Sequence, residues 1–188
     1  MYVNIEYMED LTQYIREVKD NHSASAYYKV VQLCEAKVFT MCYRTIGNRE
    51  EAEEAAQDVF LKCFEKIHLL EDESRFLPWI LKIAYNRSID YIRRKKTIYL
   101  ELDHEKVGTQ SFIEDVEWTK SKSDLDPYLS ICDESERAII TFYYQEEMST
   151  QEIADTLKMT KSNVKIKLFR ARNKIKQFIE GKDKNISK

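Results

Sequence analysis

The sequence predicts an all-α protein: two small helical domains joined by an acidic flexible linker. Three observations predict it. Only 3 Gly and 2 Pro occur in 188 residues, too few for the tight turns of an all-β chain. Apolar residues recur at helical spacing through both halves. Between the halves, residues 97–126 hold eight acidic residues against three lysines, with no apolar period. The expected divisions are a lead-in over 1–23, a first domain over 24–97, a linker over 98–124, a second domain over 125–180 and a frayed tail over 181–188.

The lead-in is polar, with Leu11, Ile15 and Val18 at helical spacing and a break at Asn21-His22-Ser23. Residues 24–46 carry a wide apolar face that includes Tyr27, Val31, Cys34, Val38, Met41 and Ile46, as a core helix does. Gly47 ends it and Asn48 caps the next. That helix, NREEAEEAAQDVFLKCFEKI, opens with four Glu, favourable at the positive end of the helix dipole. Its stripe is Ala52, Ala56, Val59, Cys63 and Ile67. Phe60 and Phe64 broaden it; core or partner surface both fit, and the pattern alone favours core.

Residues 68–75 read as a charged loop. A further helix begins near Pro78, which suits a first helical turn. Leu77, Leu81, Ala84, Ser88, Tyr91 and Ile92 share one side, and Trp79, Lys82, Asn86, Asp90 and Arg93 the other. A Trp exposed among amides and cations is a docking signature. Arg93-Arg94-Lys95-Lys96 then closes the helix with more cations than its dipole needs, which points to phosphates.

At ~3.3 Å per residue, about 30 linker residues could span roughly 100 Å; as a coil they average about 30 Å. Two basic helices so joined can reach sites more than one DNA turn, about 34 Å, apart.

The second domain resumes at Leu125. Asp133 and Glu136 form a capping-box start, with Ile139, Ile140 and Tyr143 packing inward. Ser149 and Glu152 repeat that signature, opening a helix that buries Ile153, Ala154 and Leu157. Thr160 caps another, with the stripe Val164, Leu168, Ala171 and Ile175. From Lys158 to Lys176 there are eight basic residues and no acidic one, in a chain of net charge −3. At about 100° per residue, Ile166 and Phe169 lie opposite the stripe, beside Ser162 and Lys165. Exposed apolar groups among lysines suit a major groove, where thymine methyls and base edges are both met. Ile166 and Phe169 are therefore expected to read base edges, with Lys167 and Lys174 serving phosphates.

Composition excludes other classes. No apolar run approaches 18 residues and no signal-peptide pattern opens the chain, so a cytoplasmic protein is expected. Cys34, Cys42, Cys63 and Cys132 form no CxxC pair and are expected reduced and packed. The three His are scattered without metal-ligand spacing. No Ser/His/Asp set, Walker loop or GxGxxG occurs, and no metal, cofactor, catalytic residue or small-molecule substrate is expected.

In this order and spacing the chain resembles the extracytoplasmic-function (ECF) sigma factors of the sigma-70 family, over about residues 24–97 and 125–179. AEEAAQDVFLKCFEKI is similar to the region 2.1–2.2 signature, FLPWILKIAYNRSIDYIRRKK to regions 2.3–2.4, and EIADTLKMTKSNVKIKLFRAR to region 4.2. The resemblance implies a non-catalytic subunit that directs bacterial RNA polymerase to promoters and promotes strand opening without ATP. It implies that Gln57, Asp58, Phe60 and Leu61 meet the β′ clamp helices of core polymerase, which moves Phe60 toward partner surface. It implies that the loop from Leu69 to Ser74, with Phe76, captures an unstacked base of the −10 element, and that Trp79, Lys82, Asn86, Asp90, Arg93, Arg94 and Lys95 serve the same element. It implies −35 recognition in the major groove by Thr160, Lys161, Ser162 and Asn163, then by Lys165, Ile166, Lys167, Phe169, Arg170 and Arg172. The implied partners are core RNA polymerase (β′ clamp helices and β flap), promoter DNA and an anti-sigma protein, often membrane-anchored in this family. Two departures stand out. Lys158 replaces the usual Gly of the turn, which must carry strain or change shape. Ile166 stands where a small polar residue is common.

Two other readings cover less. A free-standing helix-turn-helix regulator explains residues 134–178 but not the basic helix from Trp79 to Lys96. A nucleic-acid-processing enzyme needs carboxylates converging on a metal, and those at 50–54 read as solvated helix surface.

Overall fold

The computed structural model of the protein describes residues 5–102 and 126–186, and among these no strand occurs. The chain forms α1 (Ile5–Asn21), α2 (Ala24–Ile46), α3 (Arg49–Lys66), two 3-10 turns (Ile67–Leu69 and Glu73–Arg75) and α4 (Phe76–Leu102). Then come α5 (Asp126–Leu129), α6 (Glu134–Ile140) with a π-helical turn (Thr141–Gln145), α7 (Thr150–Leu157) and α8 (Lys161–Ile186).

The boundaries follow local chemistry. The Ser23 hydroxyl accepts the Ala26 amide at the start of α2, and the Asn48 side chain accepts that of Glu51 at the start of α3. Gly47, at φ 86°, makes the left-handed turn between them. Asp133–Glu136 and Ser149–Glu152 are both complete capping boxes. Thr160 Oγ1 accepts the Asn163 amide at 3.2 Å and opens α8.

Around α2 pack α1, α3 and α4. Val30, Cys34, Val38 and Met41 of α2 are buried among Leu11, Ile15 and Val18 of α1, Ala52, Val59 and Cys63 of α3, and Ile80, Leu81 and Ala84 of α4. The lead-in is thus an integral wall of the first bundle. In the second half α6, α7 and α8 bury Ile139, Ile140, Phe142, Ile153, Val164, Leu168 and Ala171. The two halves also touch, because α6 lies along α2. Arg137 of α6 is buried and donates to the carbonyl of Thr45, at the end of α2, at 2.9 Å.

Two expectations change. Helix α4 passes the expected linker start at residue 98 and runs through Leu102, since no Gly or Pro interrupts it after Pro78. Helix α8 continues through Gly181 to Ile186 where a frayed tail was expected; one helical Gly costs only about 1 kcal/mol against Ala. The acidic stretch over 103–125 lies outside the described residues, as do residues 1–4 and 187–188.

Candidate nucleic-acid interface

The outer face of α8 is the most complete part of the site. Val164, Leu168 and Ala171 are buried against α6 and α7, which turns Lys161, Ser162, Lys165, Ile166, Phe169 and Arg170 outward. Ile166 is 49% exposed and Phe169 64%. Leaving such side chains in water forgoes burial worth about 1.5–3 kcal/mol each. Asn163 is exposed nearby, and the Thr160 hydroxyl is occupied as the helix cap.

Three cations of this helix turn elsewhere, which corrects the sequence reading. Lys167 Nζ bonds Ser135 Oγ at 2.6 Å and lies 3.5 Å from the Asp133 carboxylate. Lys174 Nζ is 2.6 Å from the Glu136 carboxylate, whose side chain is only 3% exposed. Arg172 donates from Nε to the Tyr144 hydroxyl at 2.7 Å and lies over the Tyr143 and Tyr144 rings. All three brace α8 against α6 and the π-helical turn. Burial pushes the Asp133 carboxyl upward, but hydrogen bonds from Ser135 and the Glu136 amide, with the Lys167 charge, outweigh it and hold Asp133 below its usual value. The Glu136 hydrogen bond raises Lys174 above the usual lysine range.

Lys158, between α7 and α8, sits at φ 53° and ψ 45°, the left-handed region. The turn keeps the shape a glycine would give it, with the strain carried by a lysine.

On α4 the expected residues divide. Asn86, Asp90, Arg93 and Arg94 are exposed. Arg94 lies over the Tyr91 ring at 5.9 Å. Lys95 bonds Glu51 of α3 at 2.7 Å. Lys82 is half-buried and donates to the carbonyl of Asp155 on α7 at 3.3 Å. Phe76 is 1% exposed and is a core residue, so it cannot stack on a base; its ring fills the base of α4. Trp79, expected exposed, is half-buried 5.8 Å from Phe76. The loop before them shows His68, Leu69, Glu71 and Asp72 to solvent.

On α3, Gln57 and Leu61 are exposed, Asp58 is half-buried and Phe60 is partly buried against the core. Phe64, which the pattern placed in the core, is exposed with its ring 4.9 Å from Tyr27. Tyr27 donates its hydroxyl to the Phe60 carbonyl. Exposed Tyr28, Leu61 and Phe64 make this end of α2 and α3 apolar.

Sequence reasoning missed Lys19, which bonds the Leu70 carbonyl at 2.6 Å and Glu73 at 2.5 Å. No local signal could have found it, because its partners lie 51 and 54 residues away. The four cysteines are buried as free thiols, and burial pushes Cys42 and Cys132 up to about 11 and Cys63 up to about 12. Among the described residues no His, Cys, Asp and Glu cluster has a metal-holding arrangement, and no described helix is long and apolar enough to cross a membrane.

Comparison with known proteins follows this division. The family model of sigma-70 region 2 matches residues 30–98, and that of sigma-70 region 4 matches residues 133–175. The chain is 30% identical over 177 residues to the ECF RNA polymerase sigma factor SigW of Bacillus subtilis, covering 87% of this chain and 93% of that protein. It is 26% identical over 151 residues to SigM of the same organism, covering 79% and 91%. Among solved structures it resembles the sigma factor RpoE of Bartonella quintana, solved with the anti-sigma factor NepR, at a TM-score of 0.67 and 16% identity over 82% of this chain and 96% of that one. It also resembles CnrH, solved with the cytosolic domain of CnrY, at a TM-score of 0.63 and 18% identity over 92% and 98%.

Proposed function

Because the chain belongs to the ECF group of the sigma-70 family and is an RNA polymerase sigma factor, we propose that its two exposed basic surfaces divide promoter recognition between them. The outer face of α8 enters the major groove of the −35 element. Lys161, Lys165 and Arg170 contact phosphates or base edges there, while Ile166 and Phe169 meet thymine methyls. The exposed strip of α4, Asn86, Asp90, Arg93 and Arg94, meets the upstream edge of the −10 element. The loop over 67–75 receives an unstacked base. With Phe76 in the core, the exposed apolar and aromatic groups of that loop are Leu69 and the His68 ring. Unstacking costs a few kcal/mol; stacking at ~1–3 kcal/mol per base and phosphate contacts offset it. The chain supplies binding energy and leaves catalysis to the polymerase.

Core polymerase is the partner for the apolar end of α2 and α3, through Gln57, Asp58, Leu61 and the edge of Phe60. Phe64 and Tyr28 extend that surface. A cytoplasmic location beside the polymerase is part of this proposal. Two solved relatives are bound to an anti-sigma factor or to a partner's cytosolic domain, and an anti-sigma protein is proposed here as well.

One observation carries this reading: two large apolar side chains stand exposed on α8 among cations, opposite the buried Val164, Leu168 and Ala171. The test is run-off transcription with cognate core polymerase on a library of promoter fragments. Transcripts that depend on the protein and share an upstream motif about 35 base pairs before their starts are expected. Polymerase binding with no such shared motif would defeat the assignment of α8.

A further inference from the structure

Helix α1 is absorbed by neither polymerase docking nor DNA reading, yet it is anchored in the bundle by Leu11, Ile15 and Val18. Next to Val18 it presents Lys19, in its last turn before Asn21. The Lys19 ammonium reaches two points of the loop between α3 and α4. It donates to the Leu70 carbonyl, which ends the first 3-10 turn, and to the Glu73 carboxylate, which begins the second. Arg16 adds a second cation 3.8 Å from Glu73.

Those bonds complete a closed frame. The Leu70 amide returns to the Ile67 carbonyl at 3.1 Å and the Arg75 amide to the Asp72 carbonyl at 3.0 Å. Asp72 Oδ1 accepts both the amide and the hydroxyl of Ser74. Each turn is internally tied, and Lys19 bonds both of them, adding a polar tie to the burial of Ile67 and Leu70 in the core. Glu71 and Asp72, with Leu69 beside them, are presented from the gap it spans.

The charge has the same sense. The loop carries Glu71, Asp72 and Glu73 in succession, a poor surface for a polyanion. The Lys19 hydrogen bond, foremost, holds Glu73 below the usual carboxylate range. The ion pair therefore keeps one of the three charges compensated where nucleic acid must approach.

We propose that Lys19 is a positioning residue for base capture: by bridging the Leu70 carbonyl and the Glu73 carboxylate, it holds loop 67–75 in the shape that receives an unstacked promoter base, with α1 as the arm that delivers it. This rests on the reading of that loop as the capture element. Misplacing a binding group by an ångström can cost as much as ~100-fold in rate, and a loop free to swing loses selectivity as well as speed.

The test uses full-length Lys19→Met, Lys19→Arg and Glu73→Gln proteins reconstituted with core polymerase. Promoters carry 2-aminopurine in the opened segment and each of the four bases in turn at the captured position. Lys19→Met should open the preferred promoter about tenfold more slowly and flatten the preference among bases, with affinity for a −35 duplex unchanged. Lys19→Arg, which keeps donors for both acceptors, should recover most of the preference. Glu73→Gln, which weakens the same bridge from the loop side, should flatten it in part and reports on the bridge even if Lys19→Met folds poorly. A merely destabilising change lowers activity on all four promoters alike and leaves their ratios intact; that outcome, or wild-type ratios in both Lys19→Met and Glu73→Gln, overturns the proposal. A loop variant, His68→Ala with Leu69→Ser, separates the two readings. If it too leaves the base ratios unchanged, the assignment of the loop as the capture element has failed instead.

Discussion

At Lys158 the chain turns from α7 into α8 with a lysine at φ 53° and ψ 45°. For any residue with a Cβ that geometry costs roughly 1–2 kcal/mol, while glycine adopts it freely. The side chain is exposed, so nothing is lost by removing it. Lys158→Gly should raise the unfolding free energy by about 1 kcal/mol, read as a higher denaturant midpoint at unchanged slope. An equal or lower midpoint would mean that the turn relaxes without strain. Ile166 is the converse case, a residue whose cost lies in exposure. Ile166→Ser should leave the midpoint nearly unchanged and alter the order of preference among −35 sequences, since one mismatched base pair is worth ~1–3 kcal/mol. Uniform weakening on every promoter would remove it from base reading. The exposure of Ile166 and Phe169 was legible because the helical period alone separates them from Val164 and Leu168. The burial of Phe76 was not: it opens α4, where one turn of sequence gives no complete period, and its neighbour Trp79 covers it from the same helix.

The packing of α8 on α6 sorts cations that look alike in sequence. Lys165 is exposed, whereas Lys174 is paired with a buried carboxylate. Lys174→Met should therefore lower stability by about 1–2 kcal/mol and leave the salt dependence of promoter binding unchanged. Lys165→Ala should do the reverse, reducing the salt slope by about one with little change in melting temperature. A lower salt slope in Lys174→Met would restore it to the phosphate contacts. The two capping carboxylates give this domain a pH signature. Glu152 is lowered chiefly by the Ser149 hydrogen bonds, and Asp133 is lowered despite its burial. A depressed carboxylate contributes stability above its unfolded value, near 4, and loses it as pH falls through the folded value. Melting temperature should thus be flat from about pH 7 to 5 and decline below about pH 4, less steeply in Glu152→Gln. The raised Lys174 adds nothing to that window, since its contribution fades only as pH rises through the alkaline range. Capping boxes at 133–136 and 149–152 were readable because both partners lie within one turn. The pairing of Lys174 with Glu136 was not, because it depends on how two helices cross.

Across the whole molecule, contacts between the halves decide what must move before two promoter elements can be held at once. Arg137 donates to Thr45, Arg44 donates to Gln145 at 2.5 Å, Lys37 pairs with Glu146 at 2.6 Å and Lys82 reaches Asp155. Arg137 anchors the set: it is buried, and its Nε has no hydrogen-bond partner among the described residues. Burial disfavours its charge and lowers its pKa. Its net contribution is thus small for so central a group, because desolvation offsets much of the bond to Thr45. Removing it nonetheless leaves the end of α2 without a donor, at about 1–3 kcal/mol. While the halves are closed, Lys82 at the side of the α4 strip is engaged by α7, and the α8 face stays open. Sites separated by more than a DNA turn, about 34 Å, require the halves to part. Dyes on cysteines introduced at exposed Lys66 and Asn173 would follow the distance between α3 and α8, since the native thiols are buried. Arg137→Ala with Lys37→Ala should lengthen the mean distance in the free protein and raise its rate of association with core polymerase by several-fold. A distance that remains that of the parent would mean that apolar contact between α2 and α6 holds the halves together without these bonds.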